Sequence, residues 1–190
     1  MVYREILYNA IEKKNKSLTQ SYLAKTLKIS LSTVNLALKP LVRMNAVKIK
    51  RRGLNIIDTK KILLYWASIR DIEKDIIYKT RVEKPVREIE KQMPDNIVIA
   101  AYSAYKFKFK EVPADYSEVY IYSREEDIKK RFGENNKNPN LFVLKKDGMI
   151  ERYGKIVTIA NLFVDLWNLK QWYAKDFLKS LEVKIGRFLE

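Results

Sequence analysis

Thr19-Gln20-Ser21-Tyr22-Leu23-Ala24-Lys25-Thr26-Leu27, then Lys28-Ile29, then Ser30-Leu31-Ser32-Thr33-Val34-Asn35-Leu36-Ala37-Leu38-Lys39-Pro40-Leu41-Val42-Arg43, is the stretch that decides how this chain is read. Thr19 is a hydroxyl residue suited to capping a helix, and Leu23 and Leu27 lie one turn apart, so both point into a core. Lys28-Ile29 makes a short turn, after which Ser30 offers its oxygen to the free amides of a second helix, expected from about Leu31 to Arg43. Val34, Leu38 and Leu41 recur at helical spacing and face inward, whereas Ser32, Asn35, Leu36, Lys39 and Arg43 fall on the opposite side. Pro40 removes one backbone bond and crowds the carbonyl of Leu36, so the helix is expected to kink or tighten there.

Working outward, Val47-Lys48-Ile49-Lys50 alternates apolar and cationic residues, Arg51-Arg52-Gly53 can turn the chain, and Leu54-Asn55-Ile56 alternates again. Helix, turn, helix and basic hairpin are the parts of a winged helix-turn-helix that binds double-stranded DNA. On that reading Ser32, Thr33, Asn35, Leu36 and Lys39 meet base edges, since hydroxyls and amides exchange hydrogen bonds there and an apolar side chain can touch a thymine methyl. Gln20, Ser21, Ser30 and Arg43 fix register on phosphate, and Lys48, Lys50, Arg51 and Arg52 follow the backbone or enter a minor groove. The plainer alternatives are an ordinary solvated helix face and a charged hairpin edge that prevents aggregation.

Charge follows the same division. Residues 1–61 hold 14 Lys and Arg against three acids, Glu5, Glu12 and Asp58, a net of +11 out of +15 for the whole chain; residues 62–190 carry the remaining +4. Positive potential gathered at one end steers that end onto a polyanion and makes binding salt-dependent. Cysteine and histidine are both absent. This removes disulfides, thiolate nucleophiles, histidine bases and the usual zinc sites, so neither catalysis nor a metal or cofactor is expected. No apolar run of membrane-spanning length and no signal segment is seen, which points to a cytoplasmic protein.

Past the hairpin, Asp58 can cap a helix from about Thr59 in which Ile62, Tyr65, Ile69, Ile72 and Ile76 form a narrow apolar seam, able to pair with a second copy or to pack on the chain's own remainder. Thr80 to Pro85 reads as a boundary, with a helix over Val86–Gln92. Strands are expected at 97–100, 118–122 and 141–144, with a further one near Ile156; helices are expected around 103–107 and over 124–132, 159–170 and 173–189. The fold class is therefore α+β: a DNA-binding domain over 1–58, a connecting helix and linker over 59–84, and a small mixed α/β domain over 85–190 that ends in two helices and serves partner contact or assembly.

Tyr102-Ser103 followed by Ser117-Glu118-Val119-Tyr120 loosely resembles a nucleotidyltransferase, whose pattern is glycine-serine and then a strand with two acids one residue apart. Tyr102 replaces the glycine and Tyr120 the second acid, so a two-metal transfer lacks its parts. Asp165, between Phe163 and Trp167, reads as a helix-surface or capping residue, and Tyr102, Tyr105, Tyr116, Tyr120 and Tyr122 as core or interface aromatics.

Ser30 to Leu41 with Ala46-Val47-Lys48-Ile49 resembles archaeal winged-helix transcriptional regulators. Ala101-Tyr102-Ser103-Ala104, Pro113 to Tyr122 and Phe163-Val164-Asp165-Leu166-Trp167 resemble the antitoxin component of AbiE-type abortive-infection systems. The first resemblance implies a regulator that binds operator DNA with its N-terminal domain, uses the other domain for partner contact or assembly, a homodimer being one such assembly, and often represses its own operon. The second implies a toxin partner held by the C-terminal part.

Overall fold

The computed structural model describes residues 1–51, 53–135 and 137–189. In chain order the elements are α1 (Val2–Ile11), β1 (Ser17–Leu18), α2 (Gln20–Leu27), α3 (Leu31–Arg43), β2 (Val47–Lys50), β3 (Gly53–Ile56), α4 (Thr59–Ile69), β4 (Ile76–Thr80), α5 (Val86–Lys91), β5 (Val98–Ala100), α6 (Ala101–Phe109), β6 (Val119–Ser123), α7 (Glu125–Phe132), β7 (Leu141–Lys145), α8 (Ile159–Trp167) and α9 (Ala174–Leu189). This is an α+β fold with two small sheets. Among the described residues no helix is long and apolar enough to cross a membrane.

The first sheet has the order β1-β3-β2 and is antiparallel throughout. The second has the order β4-β7-β6-β5; β6 and β7 run parallel because α7 carries the chain back between them, and the outer pairs are antiparallel. One apolar core joins α1, α2, α3, α4, α6, α8 and α9 to one face of that second sheet. A smaller core, built on Val119, Ile121, Leu141 and Val143 with Ile89 of α5 and Ile128 of α7, covers the opposite face.

Two expectations need correction. The apolar seam stops early, because α4 ends at Ile69 and Arg70 turns into extended backbone; Ile72 is then buried in a connecting turn and Ile76 opens β4. Residues 59–84, expected as connecting helix and linker, thus contain an edge strand of the main sheet, and α4 itself packs on α1 and α8. Asp165 is the second case. It is fully buried, not on a helix surface, and it accepts hydrogen bonds from Tyr122 Oη at 2.8 Å and Asn161 Nδ2 at 2.8 Å.

Asp165 belongs to a polar network that fastens the first helix to the rest of the molecule. Arg4 of α1, almost wholly buried, donates from Nε to Asn161 Oδ1 at 2.8 Å and from Nη2 to Asp147 at 2.7 Å. Arg70 reaches Tyr122 Oη at 3.0 Å and Asp75 at 2.8 Å, and stands 3.8 Å from Asp165. Burial pushes the Asp165 carboxyl up to about 6, against the opposing pull of Arg70 and of its hydrogen bonds.

Candidate nucleic-acid interface

The local chemistry of residues 19–43 produces the two expected helices. Thr19 Oγ1 accepts from Tyr22 N at 2.9 Å, and Leu23 and Leu27 are buried. The helix closes at Lys28, whose backbone is left-handed with φ 53°, and Ile29 N returns to Ala24 O at 3.1 Å. Ser30 Oγ accepts from Thr33 N at 3.1 Å and starts α3, whose inner side buries Val34, Leu38 and Leu41. The helix runs on through Pro40 to Arg43.

Ser32, Thr33, Asn35, Leu36, Lys39 and Arg43 are all exposed, Leu36 at 65%. Within this set the Thr33 hydroxyl is 2.9 Å from that of Ser30, so these two partly satisfy each other. Ser21 is exposed and Gln20 half-buried at the start of α2. In the hairpin, Lys50 pairs with Gly53 across the turn, Val47 and Leu54 point inward, and Lys48, Lys50 and Arg51 are exposed. Arg52 lies outside the described residues.

Gly53 has a specific job at this junction. A Cβ there would stand 2.6 Å from the carbonyl oxygen of Leu18, so only glycine allows the hairpin tip to lie against the end of β1 and the cap residue Thr19. This close approach brings three elements together. Gln20 of α2, Asn35, Lys39, Val42 and Arg43 of α3, and Ile49 of β2 line one groove of about 530 Å³. Ile49, 45% exposed, was not among the residues expected to meet DNA; alternation in the hairpin assigns it to the core, and the groove takes it instead.

Electrostatics sharpen the picture. From Lys13 to Ile57 the sequence contains no Asp or Glu. Among the described residues, Lys39, Arg43, Lys48, Lys50 and Arg51 have no carboxylate within ion-pair distance, although ion pairs are frequent elsewhere in the fold, as at Arg4, Arg70, Lys106, Arg124, Lys146 and Lys184. The buried acid of α1, Glu5, is engaged within the fold; it accepts from Tyr22 Oη at 2.8 Å and Tyr153 Oη at 2.5 Å and so holds α2 on α1. Sequence patterning gives no sign of this support, because α1 buries the charged Arg4 and Glu5 together with its apolar residues.

The residues that loosely match a nucleotidyltransferase are arranged otherwise. Ser103 is fully buried, and its hydroxyl has no partner among the described residues. Glu118 accepts from Tyr173 Oη, and burial raises its carboxyl. Tyr120 is stacked on Phe142. Tyr102 packs edge-on against Tyr173 and Phe177 inside the core. Among the described residues no group of three or more acidic side chains gathers as a metal site.

No protein-family model, curated protein or solved structure matches this chain.

Proposed function

We propose that residues 17–56 form a winged helix-turn-helix and that the protein is a sequence-specific regulator bound to double-stranded DNA. The observation that carries this reading is the acid-free groove in which Gln20, Asn35, Lys39 and Arg43 converge from two helices beside the cationic hairpin. A duplex laid on this face meets amide and apolar groups at its base edges and unpaired lysines and arginines at its phosphates. α3 presents its N-terminal half to the major groove, with Asn35 and Leu36 as readers, and the hairpin runs along the adjoining backbone. Val42 and Ile49 add an apolar strip that favours thymine methyls.

The test is footprinting on the promoter region of the protein's own gene, followed by fluorescence anisotropy with the protected duplex and a random one across salt concentrations. The reading expects tighter binding to the protected duplex and a steep linear fall of log K with log salt. Asn35→Ala is expected to lower the preference for that duplex by about 1–3 kcal/mol while leaving random DNA nearly unchanged. Equal losses on both duplexes would count against base reading by α3, and absence of salt-dependent binding would remove the proposal altogether.

A further inference from the structure

We infer that the open end of the second sheet is a binding site for a planar aromatic carboxylate. Lys79 pairs with Phe142 across β4 and β7, and Phe142 pairs with Tyr120 across β7 and β6, so the three side chains form one row on one face. The rings of Tyr120 and Phe142 stack with centroids 4.7 Å apart and planes 9° from parallel. Beyond that row lies a cavity of about 650 Å³, walled by Ile72, Leu169 and Gln171. Such a volume falls within the roughly 300–1,000 Å³ of small-molecule sites, and the face of Phe142 turned away from Tyr120, on the Lys79 side of the row, can take a flat ring between aliphatic walls.

The charges at the rim select the rest of the ligand. Glu73 is held by Lys170 at 2.6 Å, and around the edge of β4, on the side that α7 covers, Lys129 lies 3.0 Å from Glu125 and 3.7 Å from Glu134. Lys79, directly beside Phe142, has no carboxylate within ion-pair distance among the described residues. One negative charge on a ring stacked against Phe142 therefore finds a cation beside it. A dianion such as a phosphate monoester would set its second charge toward Glu73, whose Lys170 is already engaged. The Tyr120 phenol, kept protonated by burial and reached by Gln171 Nε2 at 3.5 Å, supplies a neutral hydrogen-bonding group at the inner end. An exposed lysine on an edge strand also discourages strand pairing. That role alone would leave the cavity without any preference for a ligand.

Isothermal titration of the full chain with indole-3-acetate, indole-3-acetamide and acetate separates the two, and it reads nothing of DNA. Saturable one-site binding of indole-3-acetate is expected, about tenfold weaker binding of the amide, and none of acetate. Lys79→Gln, an exposed substitution whose fold is checked by circular dichroism, should bring the acid down to the affinity of the amide, and Phe142→Leu should weaken both. No saturable heat with indole-3-acetate, equal affinity for acid and amide, or an acid affinity unchanged in Lys79→Gln would each overturn the assignment.

Discussion

The cations on the α3–hairpin face and the ion-paired ones beyond residue 61 differ in what they touch. Among the described residues, Lys39, Arg43, Lys48, Lys50 and Arg51 project from the surface with no carboxylate within ion-pair distance, whereas Arg70, Lys106, Lys146 and Lys184 each sit within 2.9 Å of an acid. Arg4, at the other extreme, is buried between Asn161 and Asp147. An unpaired surface cation adds little to stability, and leaving several side by side costs the folded state some mutual repulsion. Open cations occur elsewhere too, Lys79 among them, but on this face several stand together on a stretch of chain, Lys13 to Ile57, that holds no acid at all, and such a cluster suits a partner of opposite sign. The comparison teaches that the same residue type serves architecture where it is paired or buried and, on the proposed reading, recognition where it is clustered on an acid-free face; clustering, not the lack of a partner at one residue, tells the two apart.

The sharpest way to break this contrast is to remove a cation from each side. Arg4→Ala strands Asp147 and Asn161 at the junction of α1 with the rest, and chemical denaturation should show a loss of about 3–5 kcal/mol. A loss under about 1 kcal/mol would mean that the buried network is not structural.

The pH profile probes the same network. The Asp165 carboxyl titrates near 6 when folded and near the ordinary 3.8 when unfolded, so the folded state takes up the proton first. Its contribution to stability is therefore fully present below about pH 4 and is lost as the pH rises through about 6. Relative to Asp165→Asn, the unsubstituted protein should lose on the order of 2–3 kcal/mol between pH 4 and 7. Parallel profiles for the two proteins would show that Asp165 is not held in its neutral form.

Ser30→Ala takes the cap from α3 and should cost about 1 kcal/mol in the same assay. The smallest effect on stability belongs to the hairpin. Replacing Lys48, Lys50 and Arg51 by alanine should leave the unfolding free energy within about 0.5 kcal/mol. DNA affinity should nevertheless fall for every duplex, with the salt slope flatter by about one unit for each phosphate no longer neutralised. A stability loss comparable to that of Arg4→Ala would erase the distinction between the two kinds of cation.

How far the sequence could be read depended on how local the cause was. Thr19, Ser30 and Asp58 cap helices within three residues of themselves, so the starts of α2, α3 and α4 were legible. Alternation and helical spacing likewise placed α3, the hairpin, β5, β6 and β7. What failed was set by distant partners. α1 carries Arg4, Glu5 and Asn9 on buried positions, which breaks any amphipathic pattern until Tyr22, Tyr153 and Asn161 arrive to satisfy them. The same holds for Asp165, whose partners Tyr122 and Arg70 lie far away in sequence, and for Arg70, whose pull toward Asp75 accompanies the end of α4. At the α3–hairpin groove the individual residues were readable from helical spacing. Their convergence with Ile49 was not, because it depends on the packing of the Gly53 turn against Leu18.

The span of chain between Arg4 and Asn161 has a consequence for the order of assembly. During synthesis the first helix is made before the rest of this fold, and the amide that receives its guanidinium follows only with α8, 157 residues later. Until then Arg4 and Glu5 favour solvent over a core, so the amino-terminal helices have a reason to stay loosely docked while the ribosome works. Firm docking of the amino-terminal helices is thereby tied to the arrival of α8, and a nascent chain halted midway would present its basic hairpin on an unfinished base.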